Sequence, residues 1–318
     1  MREFKIGKND AGQRLDRFLA KAVPLLPASL AQKYIRLKRI KVNGARAERD
    51  YRLADGDVLQ CYINDEFFEI PSEENVYLTI ATPKLNIVYE DENILLLDKP
   101  AGQVVHADEN ESVNTLVNHM LAYLYQKREW RPREENAFTP ALCNRIDRNT
   151  GGIVIAAKNA EALRILNDKI REREIAKFYL LICLGAPQPP KGRVECFLRK
   201  DEKTNTVRVY HHPVPEGRSA ITLYETWQTK GELSLVEVEL LTGRTHQIRA
   251  TFADLGHPLL GDGKYGFGSV NRRYGEQQQA LYSYRLRFDF PTDAGILNYL
   301  RGKEFSVETV PFRKKYFG

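Results

Sequence analysis

From Ile87 onward the chain carries apolar runs of strand length that do not alternate regularly with helical repeats. This excludes the strict strand–helix–strand order of a parallel, doubly wound sheet. Ile87-Val88-Tyr89 and Ile94-Leu95-Leu96-Leu97 flank the acidic turn 90–93 and read as a hairpin, and Gly152 to Ala157 (GIVIAA) reads as a buried strand. Phe178 to Leu184 is a further strand, and Ile221 to Thr226 and Leu233 to Leu241 alternate on either side of Lys230-Gly231 as a second hairpin. Helical spacing is found from Ser112 to Gln126, in Ala160 to Glu172 behind the cap candidate Asn159, and in Ile248, Phe252 and Leu255 ahead of Gly256. The pattern predicts an α+β fold on a mixed, largely antiparallel sheet flanked by helices.

The first 70 residues follow a different rule. Leu15, Phe18, Leu19, Ala22 and Val23 repeat at helical spacing until Pro24 and Pro27, and a second helix is predicted from a Ser29 cap to Leu37. Ile40-Lys41-Val42 is a short strand closed by Asn43-Gly44, and Val58 to Ile63 is another. Lys33, Arg36, Lys38, Arg39 and Lys41 gather at the helix-to-strand corner, the pattern expected of a surface that neutralises phosphates. The acidic run Asp65, Glu66, Glu69, Glu73, Glu74 around Pro71 then reads as a linker. The expected organisation is a small α/β module at 1–70, a linker at 71–84 and a large domain at 85–318.

With 318 residues, 42% of them hydrophobic, the chain can bury a core in each part. No run reaches the roughly 18 apolar residues of a membrane span, and the start, MREFKIGKND, has no apolar signal core, so a cytoplasmic monomer without membrane contact is expected. Four scattered cysteines and six histidines form no metal-type spacing, which predicts no metal. The net charge of +6 points only weakly to an anionic partner.

Three segments carry chemistry. Asn144-Arg145-Ile146-Asp147-Arg148-Asn149-Thr150-Gly151-Gly152 sets an aspartate between two arginines just before a buried strand, where cationic neighbours favour the ionised carboxylate. Thr242 to Arg249 (TGRTHQIR) breaks a strand and opens a helix, so its amides and arginines suit a phosphate or carboxylate. Tyr179 sits in a strand, in Lys177-Phe178-Tyr179. Taken singly, each also fits a structural role: a turn aspartate, an ordinary helix start, a core tyrosine.

Taken together, LLLDKPAGQVVH at 95–106, NRIDRNTGGIVIAAKN at 144–159, KFY at 177–179 and LLTGRTHQIRATFADLGHPLLGDGKYG at 240–266 resemble the RluA-type pseudouridine synthases. The stretch 13–62 resembles the alpha-L RNA-binding domain that often precedes them. The resemblance implies a long, bent sheet, conversion of uridine to pseudouridine in structured RNA, and no cofactor. It implies Asp147 as the catalytic carboxylate, Arg249 as its ion-pair partner and Tyr179 against the flipped base. Arg145 would fill the space the base vacates, and Arg148, Arg244 and His246 would complete substrate binding. His106 and Asp262 also fall in these motifs, as positioning or structural residues.

Three residues depart from the family pattern: Asn144 for His, Ile146 for Leu and Gly151 for Ser. The module lacks the usual glycine before its IKVNG strand, where Lys38-Arg39 stands. Large-subunit ribosomal RNA is the expected substrate. Transfer RNA, a non-catalytic ribosome-assembly factor and a nucleoside-bond hydrolase are the alternatives; the intact Asp147, Tyr179 and Arg249 speak against the second, and no motif supplies the second acid the third needs.

Overall fold

The computed structural model describes residues 1–24, 26–63, 65–68, 76–132 and 135–318. The expected linker at 71–84 is described only from Val76, its first five residues lying outside that set, as do Glu69, Glu73 and Glu74 of the acidic run. Two compact units form: one from Met1–Pro83 with Asn118–Ala141 and Ala157–Arg164, the other from Lys84–Val117, Leu142–Ala156 and Ile165–Gly318.

The first unit contains β1 (Arg2–Lys5), α1 (Leu15–Ala22), α2 (Ala28–Arg36), β2 (Ile40–Val42), β3 (Ala45–Arg46) and β4 (Val58–Cys61). Its four strands run in the order β1-β4-β2-β3, all antiparallel. α1 turns Leu15, Phe18 and Leu19 inward, and α2 buries Ala31 and Ile35, which join Ile40, Val42 and Leu59 in one core. Pro27, not Ser29, occupies the cap position of α2, and Ser29 lies in the first turn. Asn43 and Gly44 both take positive φ in the two-residue β2–β3 turn. β1 was not expected: its sequence, REFK, carries one buried side chain, Phe4, and its strand character comes from pairing with β4.

In the larger unit, β5 (Ile87–Glu90) and β6 (Ile94–Lys99) form the first hairpin; α3 (Leu116–Gln126), which belongs to the first unit from Asn118 on, begins four residues later than the apolar spacing suggests. The reason is local: the Glu111 carboxylate accepts the amides of Val113 and Asn114, both at 2.9 Å, and holds them in a turn. There follow β7 (Ala141–Leu142), β8 (Gly151–Ala157), α4 (Ala160–Arg171), β9 (Ile175–Leu184), β10 (Lys191–Asp201), β11 (Thr206–Tyr210), β12 (Arg218–Lys230), β13 (Leu233–Leu240), α5 (Gln247–Asp254), α6 (Gly268–Tyr274), β14 (Leu281–Phe288), β15 (Glu304–Ser306) and α7 (Pro311–Phe317). Asn159 caps α4 by accepting the Ala162 amide at 2.9 Å.

These strands build one mixed, 11-stranded sheet in the order β11-β10-β12-β13-β9-β14-β8-β6-β5, with β15 on β14 and β7 on β8. The ladder from β11 to β14 is antiparallel, and β14 meets β8 in parallel. β9 shows how the sheet divides its faces: Phe178, Leu180 and Ile182 enter one core with α7, and Tyr179, Leu181 and Cys183 enter another with Ile248 and Phe252 of α5. Among the described residues no helix is long and apolar enough to cross a membrane.

Candidate active site

The loop before β8 is built to hold Asp147 still. The Asn144 side-chain oxygen accepts the Ile155 amide at 2.8 Å, tying the start of the loop to β8. Behind it the fully buried Lys99 ammonium donates to the carbonyls of Gln103 (2.7 Å), Arg148 (2.9 Å) and Pro100 (3.0 Å), stitching two loops together. Burial draws its pKa down to about 7 against the opposing pull of Asp147 and Asp98.

Both glycines of the loop are required by space. A Cβ on Gly151 would lie 2.4 Å from the Tyr282 ring, and one on Gly152, at φ 114°, 2.2 Å from the Ser283 carbonyl oxygen. The place of a serine at 151 is thus taken by Tyr282, whose hydroxyl donates to Asp98 at 2.7 Å.

The start of α5 is pinned just as tightly. Gln247 accepts the Thr242 hydroxyl (2.9 Å) and the Arg244 amide (3.0 Å), while its own amide donates to Ile221 O and Thr222 Oγ1. The Arg244 amide is therefore engaged within its own turn, so the anion cradle read from the sequence is partly filled by Gln247.

The result is a cavity of about 1060 Å³ lined by Asp147, Tyr179 and Arg249, and also by Arg145, Arg148, Arg244 and His246. Arg249 donates Nη1 to Asp147 at 2.8 Å and spans Asp262 with Nε (2.7 Å) and Nη2 (2.9 Å). The Asp262 side chain is fully buried and that of Asp147 is 29% exposed, so one guanidinium joins an interior carboxylate to one open to the cavity. Burial opposes charge on both Arg249 and Asp262, yet their pairing wins: Arg249 is held above its ordinary pKa and Asp262 below, the latter also accepting the Lys264 and Tyr265 amides.

Tyr179, buried beside Asp147, has its pKa pushed up to about 12 by desolvation. Its hydroxyl is therefore protonated at neutral pH. His246, at φ 52°, places Nε2 3.8 Å from Asp147 and Nδ1 2.9 Å from the Tyr265 hydroxyl. That hydroxyl accepts the Val207 amide at 2.7 Å, which leaves its own proton able to reach Nδ1; when it does, the Nε2–H tautomer faces Asp147. Desolvation first, with Arg249 and Lys264 adding and Asp147 opposing, lowers the His246 pKa below 6.5 and keeps the ring neutral at pH 7.

The remaining arginines differ in freedom. Arg148 is paired with Asp108 (2.6 and 2.8 Å), Arg244 Nε donates to Ser219 O at 3.1 Å, and Arg145 is exposed at the rim. Sequence reasoning gave no role to Tyr265, Lys99 or Lys177; all three lie inside the quoted motifs, which was the available signal, and Lys177 also lines the cavity.

In the first unit Lys33, Arg36, Lys38 and Arg39 are exposed, with Arg39 over the Tyr34 ring and Lys41 over Tyr62. Lys38 takes φ 61°, the left-handed conformation a glycine adopts without strain.

Fold and cavity together define an α+β protein whose large mixed sheet carries a polar cavity that gathers Asp147, Tyr179 and Arg249. The model of the RNA pseudouridylate synthase family matches residues 93–254, and that of the S4 domain matches 13–59. The chain is 33% identical to an uncharacterised RNA pseudouridine synthase of Mycoplasma genitalium, over 90% of this chain and 88% of that one. It is 31% identical to the ribosomal large subunit pseudouridine synthase C of Vibrio vulnificus, with the same coverage of each. Human RNA pseudouridylate synthase domain containing 1 shares the fold, with a TM-score of 0.54 at 20% identity over 73% of this chain and 94% of that one. The chain belongs to the RNA pseudouridylate synthase family: it is an RNA pseudouridine synthase, an isomerase, with an S4 module ahead of its catalytic region and RNA as its partner.

Proposed function

We propose that this enzyme acts in the cytoplasm on uridines of large-subunit ribosomal RNA, with residues 1–70 as RNA-binding module, 71–84 as linker and 85–318 as catalytic region. The name of the Vibrio vulnificus relative supports the substrate. The observation that carries the reaction is Asp147, half-open to a cavity of about 1060 Å³ and gripped from behind by Arg249.

Isomerisation breaks the N1–C1′ bond, turns the uracil and joins C5 to C1′; the C5 proton is then lost and N1 ends protonated, so atoms balance with no redox change. A stacked uridine is first flipped into the cavity at a cost of a few kcal/mol, and Arg145, exposed at the rim, enters the gap. Asp147 then meets the electron-poor C1′, as carboxylates do in glycosyl chemistry. Arg249, anchored through two hydrogen bonds to Asp262, fixes the direction from which it does so. Neutral His246 presents Nε2–H to the same carboxylate, steadying it without adding charge. Tyr179, with a pKa near 12, stacks against the uracil as a neutral phenol and offers a hydrogen bond. Arg148 and Arg244 hold the flanking phosphates.

The test uses total RNA from a strain lacking the enzyme, incubated with purified protein and mapped for pseudouridine. Wild type is expected to modify large-subunit RNA, and Asp147→Asn to be slower by roughly 10³-fold or more. Equal maps from the two proteins would overturn the role of Asp147, and modification confined to transfer RNA would overturn the substrate.

A further inference from the structure

The smaller unit contains a second cleft that shares no residue with the Lys33–Lys41 corner. It has a volume of about 390 Å³ and is lined by Arg14, Arg17, Lys21, Arg52 and Arg164 over an apolar floor that includes Phe138, with no acidic residue in the lining among the described residues. Five cations around one small space repel one another, so the arrangement calls for an anion.

Local structure fixes these charges. Arg17 and Lys21, one turn apart on α1, form a short exposed stripe apart from the buried Leu15, Phe18 and Leu19, and Arg14 stands at the cap position just ahead of the helix. The two helical cations are about 6 Å apart along the axis at 1.5 Å per residue. Gly12, at φ 81°, bends the chain just before it and leaves two adjacent carbonyls outward. Arg52 Nη1 donates to Gly12 O at 2.8 Å and Arg164 Nη1 to Ala11 O at 3.2 Å, so two guanidiniums from distant parts of the chain converge on one turn. Each spends a donor on a backbone carbonyl, and neither forms an ion pair among the described residues. Arg14 is paired with Asp16 at 2.6 Å. Asp10, 2% exposed, accepts from Asn136 and from Gln13 and lends part of its field to Lys21, which leaves Arg17, Arg52 and Arg164 as the cations without an acidic partner among the described residues.

We propose that this cleft is a second RNA-backbone site, binding phosphodiester groups of the substrate RNA outside the modified nucleotide. The proposal rests on the reading of the chain as an RNA-modifying enzyme. The anchored forks of Arg52 and Arg164 suit phosphate oxygens, and the α1 stripe extends the contact into a track along a strand. Since no base edge is read by such a surface, its contribution is to affinity and orientation rather than sequence choice.

The experiment measures retention of purified large-subunit ribosomal RNA by the full-length enzyme across a salt series. The principal variant is R17Q/K21Q, which breaks no hydrogen bond described for either side chain; R164Q and R164K form a second pair. We expect R17Q/K21Q to bind about 5- to 20-fold more weakly near 0.1 M salt, with a log–log salt slope lower by one to two units. Its rate at saturating RNA should be unchanged. R164Q should lower the slope and R164K restore it. Wild-type slope and affinity in both R17Q/K21Q and R164Q, with normal pseudouridine formation, would overturn the cleft and leave the RNA-modifying reading intact. Failure of that reading would appear instead as no pseudouridine from the wild type, and it would take the proposal with it. A third arm titrates inorganic phosphate: phosphate binding lost in R17Q/K21Q while RNA affinity is kept would assign the cleft to a small anion and overturn the proposal.

Discussion

The cavity around Asp147 and the basic corner at Lys33–Lys41 are both rich in cations, but they use charge in opposite ways. In the cavity the central cation is buried and fully matched: Arg249 makes three hydrogen bonds to two carboxylates, and Asp262 has no exposed side chain. At the corner Lys33, Arg36, Lys38 and Arg39 stand in water, Arg39 over the Tyr34 ring, with no ion pair among the described residues. A matched buried network fixes direction and fails abruptly when one member is lost. An exposed cluster acts through the sum of its charges, is screened by salt and degrades by increments.

The sharpest way to break the contrast is Asp262→Asn, which leaves Arg249 buried with half its partners. Thermal or denaturant unfolding should show a loss of about 3–5 kcal/mol; a loss below 1 kcal/mol would place the network with the forgiving corner. Next, Arg249→Lys keeps a positive charge but cannot span Asp262 while reaching Asp147. Activity should fall by about 10²-fold with RNA affinity unchanged, and a proportional fall in both would mean that Arg249 acts as a mere surface cation.

A smaller effect is expected from Tyr265→Phe, which removes the donor to His246 Nδ1. The hydrogen bond stabilises the neutral ring, so its loss raises the His246 pKa. The acid limb of the pH–rate profile should move to higher pH, with about a two- to fourfold drop in rate at pH 7. An unmoved limb would detach His246 from the network. Smallest is Lys38→Gln with Arg39→Gln: binding should weaken several-fold, and the salt slope should fall by roughly one unit per lost phosphate contact, with the saturated rate unchanged.

Legibility in the sequence followed the same division. Motif order singled out Asp147, Tyr179 and Arg249, an apolar run marked β9, and period-two alternation marked the β12–β13 hairpin. β10, whose sequence KGRVECFLRKD is charged and half-exposed, gave no apolar run to read, and it is a strand because β11 and β12 supply partners on both sides. The linker reading stands on composition alone. Asn144 and Gly151 looked like departures from a family pattern, and their explanation required their neighbours: the Ile155 amide for one, the Tyr282 ring for the other.

By itself, the sequence determined the α+β class, the two-helix basic module and the motifs that hold the chemistry. These depend on periodicity and spacing over a few residues. Only the tertiary structure decided that Arg249 divides its donors between Asp147 and Asp262, that the Tyr265 hydroxyl meets His246 Nδ1, and that Arg52 and Arg164 meet at one turn of the smaller unit. Those partners lie as far as 153 residues apart in the chain, and no local pattern encodes a hydrogen bond whose two ends are brought together by separate strands and helices.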